Sequence, residues 1–179
     1  KPTAGNAATP SSQYAIPNQR MTGHVVSLPM IWETPLRTGN LRDPNGPQVT
    51  FAFESFIDEL AATARVDPIE FRLRMLEGSN EDDLFRKARS IATVRAAAEA
   101  YGWETRPSPA SLGSRGPILP GRGIGYTDRN GTVVATIAEV EESTESGRVW
   151  VKRLVCAHDC GLIINPTGLR HTVECAMLH

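Results

Sequence analysis

The chain has 179 residues, of which 40% are hydrophobic and 22% are charged, a composition typical of a soluble globular protein. Its 19 basic and 20 acidic side chains nearly cancel, and no basic run stands out, so nucleic acid and anionic membrane surfaces are poor candidates for partners. No apolar run approaches the roughly 20 residues that a membrane-spanning helix needs. The length allows one good domain or two small ones.

The amino-terminal stretch, residues 1–48, holds seven of the 13 prolines and is predicted to be an irregular arm without a long helix. It lacks the apolar core of a secretory signal. Because the chain begins at Lys1 and not at a methionine, the sequence suggests a fragment of a longer protein. The three cysteines indicate reduced thiols. This favours the cytoplasm, with the periplasm as the alternative because large cofactor enzymes are also exported folded.

Three helices are predicted in residues 49–103. In the first, apolar side chains recur at helical spacing from Val49 to near Arg65. The third begins around Glu81 and continues to Tyr101, with its apolar residues on one face.

The second helix has a strong start signal. Asp67 can cap the helix, Pro68 suits the first turn, and Glu70 completes a capping box. This helix is predicted to stop near Gly78.

A connector rich in Pro, Gly and Ser is predicted at residues 104–121. In residues 122–179 the apolar period becomes two, and strands at 132–140 and 148–156 are predicted to form an antiparallel hairpin. From Gly168 the sequence is typical of a helix cut short.

These elements predict an α+β fold with about three helices, a small antiparallel hairpin or sheet, and a truncated C-terminal helix. We expect all four segments to be parts of one larger domain: 1–48, 49–103, 104–121 and 122–179.

Two local patterns bear on chemistry. The run Cys156-Ala157-His158-Asp159-Cys160 could ligate zinc, but it has no second half-site, so we favour packed thiols at a strand end. The loop around Arg42, bounded by Gly and Pro, leads straight into the first long helix. It is equally compatible with an anion-facing arginine and with a plain surface turn.

Several segments, in order along the chain, resemble the large subunit of molybdenum hydroxylases of the xanthine oxidase and aldehyde oxidase family. The resemblance is strongest to the branch of the isoquinoline 1-oxidoreductase β-subunit and bacterial aldehyde dehydrogenases. The matching segments are residues 34–37 (TPLR), 41–48 (LRDPNGPQ), 51–61 (FAFESFIDELA), 67–72 (DPIEFR), 121–125 (GRGIG), 138–141 (AEVE), 144–151, 156–161 (CAHDCG) and 165–166 (NP).

The resemblance implies hydroxylation of an aldehyde or N-heterocycle with water as the oxygen source. It implies molybdenum held by a molybdopterin, in bacteria often the cytosine dinucleotide form, and iron–sulfur clusters on a partner chain. By the same resemblance the Arg42 loop approaches the molybdenum centre, and Gly46 and Gln48 shape the pterin side. Thr172 stands where the family commonly has a glutamine that touches pterin. No protein side chain is expected to ligate the metal.

Departures from the family pattern limit the assignment. Pro44 stands where xanthine oxidase has an aromatic residue that stacks on the substrate, which argues against recognition of a flat purine. Neither the Gly-Gln-Gly loop nor the Gly-Glu-Pro motif with the catalytic glutamate is present. No catalytic residue is therefore assigned, and we expect activity only together with the remainder of the subunit and an iron–sulfur subunit. The alternative is a non-catalytic split or truncated module that packs against a partner chain without binding metal.

Overall fold

The computed structural model describes residues 13–18, 20, 46–78, 84–109 and 116–178. Within them the chain forms four helices and a three-stranded antiparallel sheet, which confirms the predicted α+β class. In chain order the elements are α1 (Gly46–Ala64), α2 (Pro68–Glu77), α3 (Leu84–Tyr101), β1 (Ile118–Arg129), β2 (Thr132–Ser143), β3 (Val149–Asp159) and α4 (Pro166–Leu178).

Helix α1 begins at Gly46, earlier than the predicted start at Val49. Pro47 does not prevent this, because a proline in the first turn lacks only an N–H that the helix would leave without a partner. Gly46 and Gln48 therefore belong to a helix and not to the arm.

The predicted cap of α2 is confirmed. The Oδ1 atom of Asp67 accepts hydrogen bonds from the backbone N–H groups of Ile69 (2.8 Å) and Glu70 (3.2 Å). Its Oδ2 atom accepts from the indole N–H of Trp103 (3.0 Å) and the backbone N–H of Arg106 (2.9 Å). One buried carboxylate thus starts α2 and ties it to the segment that follows α3.

The strands lie in the order β1-β2-β3, and the predicted hairpin of β2 and β3 is confirmed. β1 is longer than the sequence pattern suggests, because it begins at Ile118, inside the predicted connector. One face of the sheet carries the buried side chains of the core and packs against the helices. These side chains are Ile124, Tyr126, Val133, Ala135 and Ile137.

Polar contacts hold α3 on the sheet along its length. Near its start, the guanidinium of Arg89 donates to the carboxylate of Asp159 at 2.7 and 2.8 Å. At the next residue of the helix, the hydroxyl of Tyr126 donates to that of Ser90 at 2.7 Å. At its end, Arg153 donates to two carbonyl oxygens of the last helical turn, which helices otherwise leave without partners.

The centre of the fold is a buried ion pair between α1 and α2. The Nε atom of Arg72 donates to Oε2 of Glu54 at 2.9 Å, and the Arg72 side chain is 0% exposed. The same guanidinium donates to Oδ1 of Asp58 (2.7 Å) and to the carbonyl of Pro68 (3.1 Å). Glu54 also accepts the backbone N–H of Tyr126 at 2.8 Å, so the pair joins both helices to β1.

Residues 13–18 pack against this ion pair. The hydroxyl of Tyr14 donates to Oε1 of Glu54 at 2.8 Å, and the ring stacks on Phe53 with centroids 6.0 Å apart. The backbone N–H of Ala15 donates to the carbonyl of Met75 at 2.9 Å. Burial and the nearby Glu54 carboxylate raise the pKa of the Tyr14 hydroxyl, so it stays a donor at all ordinary pH.

None of the helices in the described part of the chain is long and apolar enough to cross a bilayer.

We expect Arg72→Met to lower the free energy of unfolding by about 3–5 kcal/mol, because it leaves the buried Glu54 carboxylate without its cation. Arg74→Met is the matched control. Arg74 lies on the same helix and pairs with Glu70 at 3.7 Å, but its side chain is 64% exposed, so a loss below about 1 kcal/mol is expected. Urea denaturation measures both variants, and equal losses would contradict a central role for the buried pair.

Candidate functional site

Two of the four predicted cofactor residues lie at the start of α1. Gly46 is partly buried and Gln48 is exposed, both in the first helical turn. The first N–H groups of a helix lack partners within it and carry the positive end of its dipole, so this end suits an acceptor-rich or anionic ligand. The buried contacts of Glu54, two turns further along, fix the position of this helix end. Arg42, the third predicted residue, lies outside the described residues.

Thr172, the fourth predicted residue, lies on α4 and is exposed. Its hydroxyl donates to the carbonyl of Gly168 at 2.9 Å, so its proton is used within its own helix. The Asn165 side chain caps this helix by accepting the N–H of Gly168 at 2.9 Å. Helix α1 packs against α2 and β1, whereas α4 faces β3, so Thr172 and the α1 residues stand on elements with different packing partners.

A groove of about 330 Å³ separates α4 from the end of β3. Its β3 wall is formed by Cys156 and His158. These residues are two positions apart on the strand, so their side chains face the same side of the sheet. The opposite wall of the groove is formed by side chains of α4 and the preceding loop, namely Ile163, Pro166, Leu169, Arg170, Val173, Glu174 and Met177. The lining of the groove is mainly apolar. Its rim carries the ion pair of Arg170 and Glu174, whose Nε and Oε1 atoms are 2.8 Å apart.

The zinc hypothesis gains no support. Among the residues that the structure describes, no three His, Cys, Asp or Glu side chains group closely enough to hold a metal ion. β3 extends to Asp159, so most of the Cys156–Cys160 run is strand and not a compact loop. All three thiols are free.

Asp159 has a structural role at the end of β3. It accepts two bonds from Arg89, and its Oδ1 accepts the backbone N–H of Gly161 at 2.9 Å. These hydrogen bonds lower the pKa of Asp159 to about 2, and the bonding to Arg89 has the largest effect. The carboxylate thus fixes both α3 and the turn that leads into α4.

Sequence reasoning missed Glu54 and Arg72, on which the position of α1 depends. A signal exists: Glu54 interrupts the apolar stripe of α1 at a position that should be buried. The groove beside α4 has no comparable signal, because it arises from the approach of α4 to β3.

The exposed side chain of Gln48 at the start of α1, on an α+β framework, is compatible with a domain that binds an organic cofactor. Family comparison defines this class: two models, each a molybdopterin cofactor-binding domain, match residues 2–76 and 46–179. The chain belongs to the molybdopterin cofactor-binding domains of the xanthine oxidase family.

Characterised relatives agree with this family. One of the subunits of nicotinate dehydrogenase from Pseudomonas putida is 35% identical over 150 residues, which are 79% of this chain and 12% of the relative. The β-subunit of isoquinoline 1-oxidoreductase from Brevundimonas diminuta is 32% identical over 127 residues, 71% of this chain and 14% of the relative. The molybdenum-binding subunit PaoC of the aldehyde oxidoreductase from Escherichia coli K12 is 30% identical over 121 residues, which are 65% of this chain and 16% of the relative. The chain therefore spans less than a fifth of these relatives.

We expect Asp159→Asn to lower the melting temperature near neutral pH and to have little effect in strong acid. The folded-state pKa of about 2 lies below the ordinary value of about 3.9, so the stabilisation is present above pH 4 and is lost as pH falls towards 2. Melting curves of both proteins across this range measure the difference. Glu145→Gln, in the exposed turn after β2, is the control. A difference for Asp159→Asn that does not shrink with falling pH would contradict the role of its charge.

Proposed function

We propose that this chain forms part of the molybdopterin site of a molybdenum hydroxylase. The observation that carries the proposal is the start of α1, where the exposed side chain of Gln48 stands on a helix fixed by buried contacts. The substrate we propose is an aldehyde or an N-heterocycle, hydroxylated with water as the oxygen source. The relatives support this, because they are named for nicotinate, isoquinoline and aldehydes.

The groups that the chain offers fit the organic part of such a cofactor. A pterin carries both donors and acceptors, and the exposed amide of Gln48 can pair with either. The backbone N–H of Gln48, in the first turn of α1, can donate to a carbonyl or phosphate oxygen. Thr172 provides only a short hydroxyl already bonded to Gly168, so we assign it a weaker contact than a glutamine would make.

In this proposal Arg42, which precedes α1 in the sequence, contributes a positive charge to the cofactor site. The bound cofactor, in its molybdopterin or cytosine dinucleotide form, supplies the two-electron redox chemistry. This chain supplies binding and orientation and no proton-transferring side chain, because the catalytic glutamate motif is absent from its sequence. The remainder of the subunit must provide that base.

The partners we propose supply the functions that this chain does not provide. The four segments 1–48, 49–103, 104–121 and 122–179 belong to one larger domain, completed by other polypeptide of the subunit. A separate subunit with iron–sulfur clusters receives the electrons. The cytoplasm is the proposed location, with the periplasm as the alternative.

The assembled protein that contains this chain allows a test with two variants. Gln48→Ala should lower the molybdenum and pterin content roughly fivefold, the effect of losing one hydrogen bond worth about 1 kcal/mol. Arg42→Ala should lower turnover while the complex stays folded. The control is Thr63→Ala, an exposed position on the same helix. Cofactor content is measured by metal analysis and by fluorescence of the oxidised pterin.

Unchanged cofactor content in Gln48→Ala, with unchanged turnover in Arg42→Ala, would contradict the assignment of this helix start to the site. A loss in Thr63→Ala as large as in Gln48→Ala would show that the effect comes from α1 stability and not from cofactor contact.

A further inference from the structure

The turn between β1 and β2 has a chemical liability that is separate from the cofactor. Asn130 and Gly131 form a two-residue connection between the paired residues Arg129 and Thr132. Both adopt left-handed backbone angles, with φ of 52° and 78°, as a type I′ turn requires. Both are exposed, so water reaches the Asn130 amide and the peptide bond that follows it.

We propose that Asn130-Gly131 is a site of spontaneous deamidation that Arg89 promotes. The backbone nitrogen of Gly131 loses its proton and attacks Cγ of Asn130. The bond from Cγ to the side-chain nitrogen breaks, and ammonia leaves with the proton. Water then opens the resulting succinimide at either carbonyl, which gives aspartate or isoaspartate. The net change consumes one water and releases one ammonia, without any oxidant or reductant.

Two features of the turn favour this reaction over reaction at an ordinary asparagine. Gly131 has no side chain to obstruct the approach of its nitrogen to Cγ. The Nη2 atom of Arg89 donates to the carbonyl oxygen of Gly131 at 2.8 Å, so a cation lies at the peptide group that directly follows the nitrogen that must become negative. The Asp159 carboxylate, which the same Nη2 atom binds at 2.7 Å, offsets part of this positive charge, and the remainder stabilises the deprotonated amide and, later, the new carboxylate.

The modification would loosen the contact between α3 and the sheet. Isoaspartate adds one carbon to the main chain in a turn that has only two residues, which displaces the Gly131 carbonyl from Arg89. The new carboxylate also competes with Asp159, which Arg89 binds through the same Nη2 atom at 2.7 Å.

Peptide mapping of the assembled protein that contains this chain, after incubation at mildly alkaline pH, tests the proposal. Trypsin cleaves after Arg129 and Arg148, so one peptide begins at Asn130 and is separate from the peptide that contains Asn45-Gly46. We expect aspartate and isoaspartate forms of this peptide to accumulate in the wild type. In Arg89→Met the rate should fall roughly fivefold, the factor that corresponds to about 1 kcal/mol of charge interaction.

Two controls separate the reaction from a loss of structure. Arg89→Lys keeps the charge and should react within about twofold of the wild type. Asn130→Gly keeps the left-handed turn, removes the reactive amide and should give no product at this position. In urea the difference between wild type and Arg89→Met should vanish. The absence of product in the folded wild type would overturn the proposal, and so would an Arg89→Met rate equal to or above the wild-type rate.

Discussion

The buried pair of Glu54 and Arg72 is the interaction on which the remaining structure depends. Its two charges lie among apolar side chains, and such a pair is tolerated only when its remaining donors and acceptors are also satisfied. Asp58, Pro68, Tyr14 and the backbone of β1 provide those partners. Four separate pieces of chain must therefore meet at one point, and this fixes α1 and α2 relative to the sheet.

This geometry connects the core with the candidate site. The start of α1 carries Gly46 and Gln48, and the same helix is held in place by the contacts of Glu54. Residues 13–18 are bound to the same pair through Tyr14. The two molybdopterin-domain models overlap at residues 46–76, which contain both Glu54 and Arg72. The two matches thus share the two helices that carry the buried pair.

Much of the fold could be predicted from sequence because its signals are local. The capping pattern at Asp67 and the apolar spacing in α1 depend on neighbouring residues. The start of β1 was missed because Pro120 and the glycines after it are poor strand formers in isolation. The bond of Glu54 to Arg72 and the groove beside α4 could not be predicted, because they depend on how distant elements pack. Gly46 and Gln48 came from family resemblance and not from physical pattern, which alone left the preceding loop undecided.

We propose above all that this chain contributes to a molybdopterin site completed by other polypeptide. The most direct test is metal and pterin analysis of purified material containing the chain, with intact masses of every chain that co-purifies. We expect stoichiometric molybdenum and pterin together with a larger polypeptide or further subunit. A stable monomer of this chain that binds neither molybdenum nor pterin, even when supplied with the cofactor, would contradict it.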